Sequence, residues 1–254
     1  MKCYNAFGIT PTNSFTSAGS DYYIPNLKDE NQIKLALKAF EKSYKKSAEQ
    51  INMIYNEFKN QYDYKDEAAN LTHLFLALYD KYLEGAKANS IEYAISYFIN
   101  NFVVYDKNRK VSGLALKLND TLFINSGIKV ALDTVLSDKV APNPSNAVNT
   151  LRMLNIGVAG LYVNKSGCGN RGWDVRACLV DEDYSGFVHL SQSYTKDLFI
   201  DGENIIYCGD KLTQMMLIPV FHDEYIEATE DEYNKIMENS QRGDSGFGSQ
   251  DIKH

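Results

Sequence analysis

Five short segments hold residues whose types and spacing could act on a phosphorylated ligand. They are Ala18-Gly19-Ser20-Asp21, Lys165-Ser166-Gly167, Val180-Asp181-Glu182-Asp183-Tyr184-Ser185-Gly186, Gly209-Asp210-Lys211-Leu212-Thr213-Gln214 and Arg242-Gly243-Asp244-Ser245-Gly246-Phe247-Gly248-Ser249. Taken singly, the first four are weak signals. Asp-Glu-Asp ahead of a turn residue and a glycine suits a solvated hairpin tip, Lys-Ser-Gly suits a loop, and Gly-Asp before a strand is a turn signal. The last segment differs. Its glycines would let backbone amides approach a phosphate, Arg242 offers a bidentate contact and Ser249 adds a hydroxyl. Phe247 lies between two glycines, where a ring can close over a flat base by stacking.

The elements that must position these residues divide unevenly along the chain. From Asn26 to Ser112 there is no proline and one glycine, Gly85, whereas the rest holds all five prolines and 15 of the 16 glycines. The breaker-poor stretch predicts helices. Asp29 followed by Gln32 resembles a capping box. Ile33, Leu37, Phe40, Tyr44, Ser47, Ile51, Ile54, Phe58 and Tyr62 then recur at spacings of three and four, which predicts one long amphipathic helix whose apolar stripe is broken only at Ser47. A second helix is predicted over Asp66–Glu84, with Gly85 as its stop, and a third over Ser90–Phe102. Short connections suggest an antiparallel bundle or hairpin whose aromatic stripe is core. The remainder reads as short strands: Thr121–Ile124 and Gly127–Leu132 as a hairpin around Asn125 and Ser126, then Gly160–Val163, Ala177–Val180, Phe187–Leu190 and Lys211–Val220, with a short helix over Ala147–Leu154. Such spacing suggests a sandwich or barrel. The polar, glycine-rich tail from Asn239 reads, alone, as a flexible terminus.

Composition narrows the classes. The chain has 254 residues, 44% of them hydrophobic and 23% charged, which is globular material. A net charge of −7 argues against a sequence-independent nucleic-acid binder. The longest apolar run, Met215–Phe221, is far short of a membrane span. Met1–Thr12 has no apolar signal core. Cys3, Cys168, Cys178 and Cys208 form no CxxC pair, so no zinc spacing exists, and a reducing cytoplasmic setting is the default (host cytoplasm for a viral chain). His73 reads as a packed helix residue, His189 and His222 have no nucleophile partner by spacing, and Trp173 reads as packing, the other reading being a place beside the hairpin near Val175–Asp181.

In order and spacing, the five segments resemble the five motifs of the trimeric dUTPase family, approximately AGxDL, RSG, GVIDxDYRG, GDRIAQL and RGxGGFGST. Phe123–Val130 also resembles the family's strand with its Thr-Gly-Ile step. The resemblance implies a mainly β jelly-roll or distorted barrel over residues 1–25 and 111–254, interrupted by an inserted α-helical subdomain at 26–110. It implies a homotrimer with active sites at subunit junctions, and residues 239–254 as a lid over the occupied site. The substrate would be dUTP, split to dUMP and pyrophosphate, its triphosphate holding most of one Mg²⁺. Asp181 matches the catalytic aspartate that activates the attacking water. Lys165, Ser166, Gly167, Cys178, Gln214, Arg242, Gly246, Gly248 and Ser249 fall at substrate-binding positions. Tyr184 would pack under the deoxyribose, Phe247 would stack on uracil, and the hairpin near Val175–Asp181 would read the base. Asp21 would touch the metal through water at most.

The chain departs from the family in several places. Lys165 stands for an arginine, turning a bidentate contact into a point charge, and Cys178 stands for a glycine beside the base-reading hairpin. Tyr22, Ser245 and Gln250 are further substitutions, and Asp133–Gly157 exceeds the usual link to the second motif. Three other readings compete. A dCTP deaminase would need a glutamate where Ser185 stands. A related pyrimidine deoxynucleotide could be the substrate. A regulatory protein of the same fold would bind a partner through residues 26–110, which could equally buttress the fold. An all-α nucleotide hydrolase is discarded, since residues 26–110 lack the ExxE or ExxD pairs it needs.

Overall fold

The structure is a computed structural model that describes residues 1–13, 17–62, 65–82, 90–132, 156–196, 204–222 and 226–238. Two compact units are delimited, Met1–Phe221 and His222–His254. In the second, helix α6 (Glu230–Ile236) opens on a capping box, in which Thr229 and Glu232 satisfy each other's backbone N–H groups.

The first unit is mostly β, with twelve strands among the described residues in four antiparallel sheets. Strands β1 (Lys2–Asn5) and β6 (Ile128–Ala131) form one. Strands β3 (Val103–Tyr105), β4 (Val111–Ala115) and β11 (Ile205–Tyr207) form another, with β4 central. A third orders β5 (Thr121–Asn125), β10 (His189–Tyr194) and β8 (Trp173–Val175). The fourth orders β2 (Ser20–Tyr23), β12 (Lys211–Phe221), β7 (Ile156–Asn164) and β9 (Leu179–Val180). No helix of the described residues is long and apolar enough to cross a membrane.

Four helices lie between β2 and β3 in the chain: α1 (Glu30–Ser43), α2 (Ala48–Gln61), α3 (Lys65–Tyr82) and α4 (Ile91–Phe102). The predicted single helix from Asp29 to Tyr62 is therefore two. The apolar stripe does run through the join, but Lys45 adopts a left-handed φ of 50° and Ser47 starts a new helix by a capping box with Gln50. Asp29 caps α1 by accepting from the Asn31 and Gln32 amides.

Helix α3 is central to the layer. Leu71, Leu74, Phe75 and Leu78 are all buried, and Phe75 meets Phe58 of α2 and Phe98 of α4 edge to face. The same core cluster continues into the sheets through Phe7, Ile124, Leu190 and Leu212.

The predicted hairpin over Thr121–Leu132 does not form. Strand β5 pairs with β10, and β6 pairs with β1. Gly127, at φ +73° with its Cα against the Phe7 ring, turns the chain from one sheet to the other, where any side chain would collide with that ring. Because β5 is an edge strand among the described residues, its outward N–H groups need cover. The helical layer supplies it: the Asn125 amide donates to Tyr44 Oη at 3.3 Å, and Asn125 Nδ2 donates to Ser43 Oγ. The predicted helix over Ala147–Leu154 and the tail from Asn239 lie outside the described residues.

Candidate active site

The first, second and fourth segments meet on the four-stranded sheet. Asp21 on β2 faces Gln214 on β12, which in turn faces Val163 on β7. Just past β7, Lys165 Nζ lies 2.6 Å from Asp21 Oδ1, and Lys211 Nζ lies 3.2 Å from Oδ2. Asp21 is further fixed by backbone pairing with Thr12, in both directions. Burial disfavours its charge, yet the hydrogen bonds and charges of Lys165 and Lys211 outweigh that and hold the carboxyl below the usual range. The Asp21 hydrogen bond in turn raises Lys211. Two ammonium groups around one carboxylate leave a net positive site on a negatively charged chain, suited to an anion.

Sequence reasoning missed two parts of this cluster. Lys211 lies inside a quoted segment, but no spacing rule pairs it with Asp21. Cys168 sits in the short helix α5 (Ser166–Asn170), buried, with its Sγ donating to the Lys211 carbonyl at 3.2 Å. That bond ties the loop carrying Lys165 to the strand carrying Lys211. Gln214 donates to the Asn164 carbonyl at 3.4 Å, and Ser166 and Gly167 are exposed. Gly19 has a packing reason for its identity: a Cβ there would lie 2.6 Å from the Met215 carbonyl oxygen.

The third segment builds a separate feature. Asp181, exposed, lines a cavity of about 280 Å³ together with Leu179, Val180, Tyr184, Phe123, Tyr162 and His189. Tyr184 donates to the Phe187 carbonyl at 2.8 Å, and its amide bonds the Asp181 carbonyl at 3.2 Å. A Cβ on Gly186 would run into the Tyr184 phenol. Cys178 does not line the cavity; its thiol is exposed and its carbonyl accepts from the Tyr162 amide at 2.6 Å. His189, absent from the sequence-derived site, stacks flat on Phe123 at 4.3 Å and is held by the Phe187 carbonyl at 2.9 Å. Burial pushes its pKa down. Trp173 packs against Tyr194, as its reading predicted.

The two features do not meet within one chain. Asp21 lies on β2 and Asp181 directly follows β9, the opposite edges of the sheet. Three strand spacings and the offset from Val163 to Gly160 put them about 18 Å apart, from ordinary strand geometry. Arg242, Gly246, Phe247, Gly248 and Ser249 lie outside the described residues.

No protein-family model matches the chain. A deoxyuridine 5'-triphosphate nucleotidohydrolase of Hydrogenobaculum sp. (strain Y04AAS1) is 35% identical over 74 residues, which is 29% of this chain. The match spans 44% of that relative's length. Among solved structures, a Staphylococcus bacteriophage 80alpha dUTPase mutant with dUpNHpp overlaps at 16% identity, covering 60% of this chain and 94% of its own, with a TM-score of 0.37. The EIAV dUTPase overlaps at 15% identity, 51% and 92% coverage and a TM-score of 0.30. In the order of its five segments the chain resembles the dUTPases, and the 74-residue stretch of curated similarity is to one of them.

Proposed function

We propose that the chain hydrolyses dUTP to dUMP and pyrophosphate, as a homotrimer whose sites combine segments of different subunits. The observation that carries this reading is the convergence of Asp21, Lys165, Lys211 and Gln214 from three distant segments into one anion-accepting cluster. The distance of about 18 Å between that cluster and Asp181 within one chain supports a site shared between copies.

In the proposed reaction the triphosphate lies along Lys165 and Lys211, whose charges offset the negative charge that grows on the phosphate oxygens. Gln214, Ser166 and Arg242 add donors. Asp181 accepts the proton of a water attacking the α-phosphorus in line, and pyrophosphate leaves. Tyr184 lies under the sugar and leaves no room for a 2′-hydroxyl, and Phe247 closes over the base.

Magnesium fits this chain as part of the substrate. No group of three potential ligands exists among the described residues, and both Asp21 oxygens are engaged by ammonium groups. The ion would arrive on the triphosphate and shield its charge, with Asp21 reaching it through water at most.

A nucleotide panel with Mg²⁺ tests the reading. Pyrophosphate release from dUTP should far exceed release from dTTP, dCTP or UTP. Equal turnover of dUTP and dTTP would end the specificity claim, and no release from any of the four would end the reading.

A further inference from the structure

The helical layer has no role in the reaction just described, yet it grips a strand that walls the cavity beside Asp181. We propose that Tyr44 of the helical layer is a positioning residue for that cavity. The proposal rests on the reading of this cavity as the base and sugar pocket.

The connection is a run of named contacts. Tyr44 directly follows α1, and its hydroxyl is shared by two partners. It accepts the Asn125 amide at 3.3 Å and lies 3.4 Å from His73 Nδ1 on α3. A tyrosine hydroxyl has one proton, so while accepting from Asn125 it can donate to His73 Nδ1. Ser43 takes the Asn125 side-chain amide, and Asn125 Oδ1 accepts from the Gly127 amide at 2.8 Å. Asn125 is fully buried, and Tyr44 and His73 are nearly so, which leaves no place for solvent to replace a lost partner.

From Asn125 the contacts reach the cavity in one step. His189 is its cross-strand partner. Phe123, two residues earlier on β5, projects from the same face as Asn125 and stacks on the His189 ring. Phe123 and His189 both line the cavity. Among the described residues strand β5 has a ladder partner on one side only, so its outer edge is placed by what the helices offer it. Losing the Tyr44 hydroxyl would loosen the edge at Asn125 and so the Phe123–His189 wall, without touching Asp181, Lys165 or Lys211.

The test is Tyr44→Phe in the full chain, with two readouts. The first is steady-state dUTP hydrolysis. Loss of one buried hydrogen bond at the wall predicts a rise in KM of about five-fold with kcat changed less than about two-fold. The second needs no substrate: amide hydrogen exchange by mass spectrometry, expected to quicken over Thr121–Ile128 and Val188–Leu190 but not over β12. An unchanged KM with unchanged exchange overturns the proposal. So does exchange that quickens equally in every strand, which would mark Tyr44 as a general stability residue. If the native chain releases no pyrophosphate from dUTP, the proposed function falls, and the exchange pattern alone decides whether Tyr44 holds the wall. Should Tyr44→Phe not yield folded protein, Ser43→Ala, which deletes the other helical partner of Asn125, carries the same two readouts and the same refuting outcomes.

Discussion

Acidification should unfold this protein partly through His73. The imidazole is 1% exposed, stacked on Phe40 at 4.9 Å, with Phe7 edge-on to it and Tyr44 on Nδ1. Burial pushes its pKa down to about 3 from an ordinary 6.5, with His189 adding a smaller effect of the same sign. The folded pKa is depressed, and for a base that means the folded state stays neutral while the unfolded chain takes up a proton. The stabilisation is present above the unfolded value and is lost as pH falls from about 6.5 toward 3. At pH 5 the unfolded imidazole lies about 1.5 units below its pKa, and at about 1.4 kcal/mol per unit the loss is about 2 kcal/mol. Trp173, the sole tryptophan, is buried and reports unfolding by its emission. Urea titrations at pH 7 and pH 5, at fixed protein concentration, should show that loss in the native protein. In His73→Gln, which cannot titrate there, the loss should shrink by about 2 kcal/mol, while the carboxylates contribute alike to both proteins. Equal losses in the two proteins would refute the argument.

Two further outcomes are expected at the site. Asp181→Asn should lower turnover by about 10²-fold or more while calorimetry still detects dUTP binding, since the carboxylate acts on the water rather than on the nucleotide. Mixing it, after co-refolding, with an inactive Lys165→Met variant should restore part of the activity, because a mixed trimer would hold some intact junctions; no recovery at any ratio argues against shared sites. Truncation before Arg242 should reduce kcat severely in the pyrophosphate assay, and a truncated chain with full turnover would contradict the lid.

What the sequence made legible is local, and what it hid is long-range. Helix α4 was readable because Ser90 is a proper cap and Ile91, Ile95, Phe98 and Phe102 keep helical spacing. The break between α1 and α2 was readable in principle: Ser47 interrupts the apolar stripe and spells a capping box with Gln50, but the helical spacing resumes beyond it and masked the break. The false hairpin came from reading neighbours in sequence as neighbours in the sheet, where Gly127 sends the chain elsewhere. Lys211 and Cys168 were hidden for the same reason, since the register of β12 against β2 and β7 is what carries them to Asp21 and Lys165. His189 gave no signal, because its importance rests on stacking with Phe123.

The pairing of β2 with β12 also bears on how the molecule comes into being. Ser20 faces Met215, and between them the chain must already have laid down five helices and most of the other strands. Helices close on nearby residues and form early, whereas a ladder of such sequence separation waits on loop closure across nearly the whole chain. During synthesis the Asp21 strand leaves the ribosome early and stays unpaired until β12 follows. The Asp21–Lys165–Lys211 cluster is therefore among the last features to assemble, and a nascent chain would hold its helices well before that cluster could form.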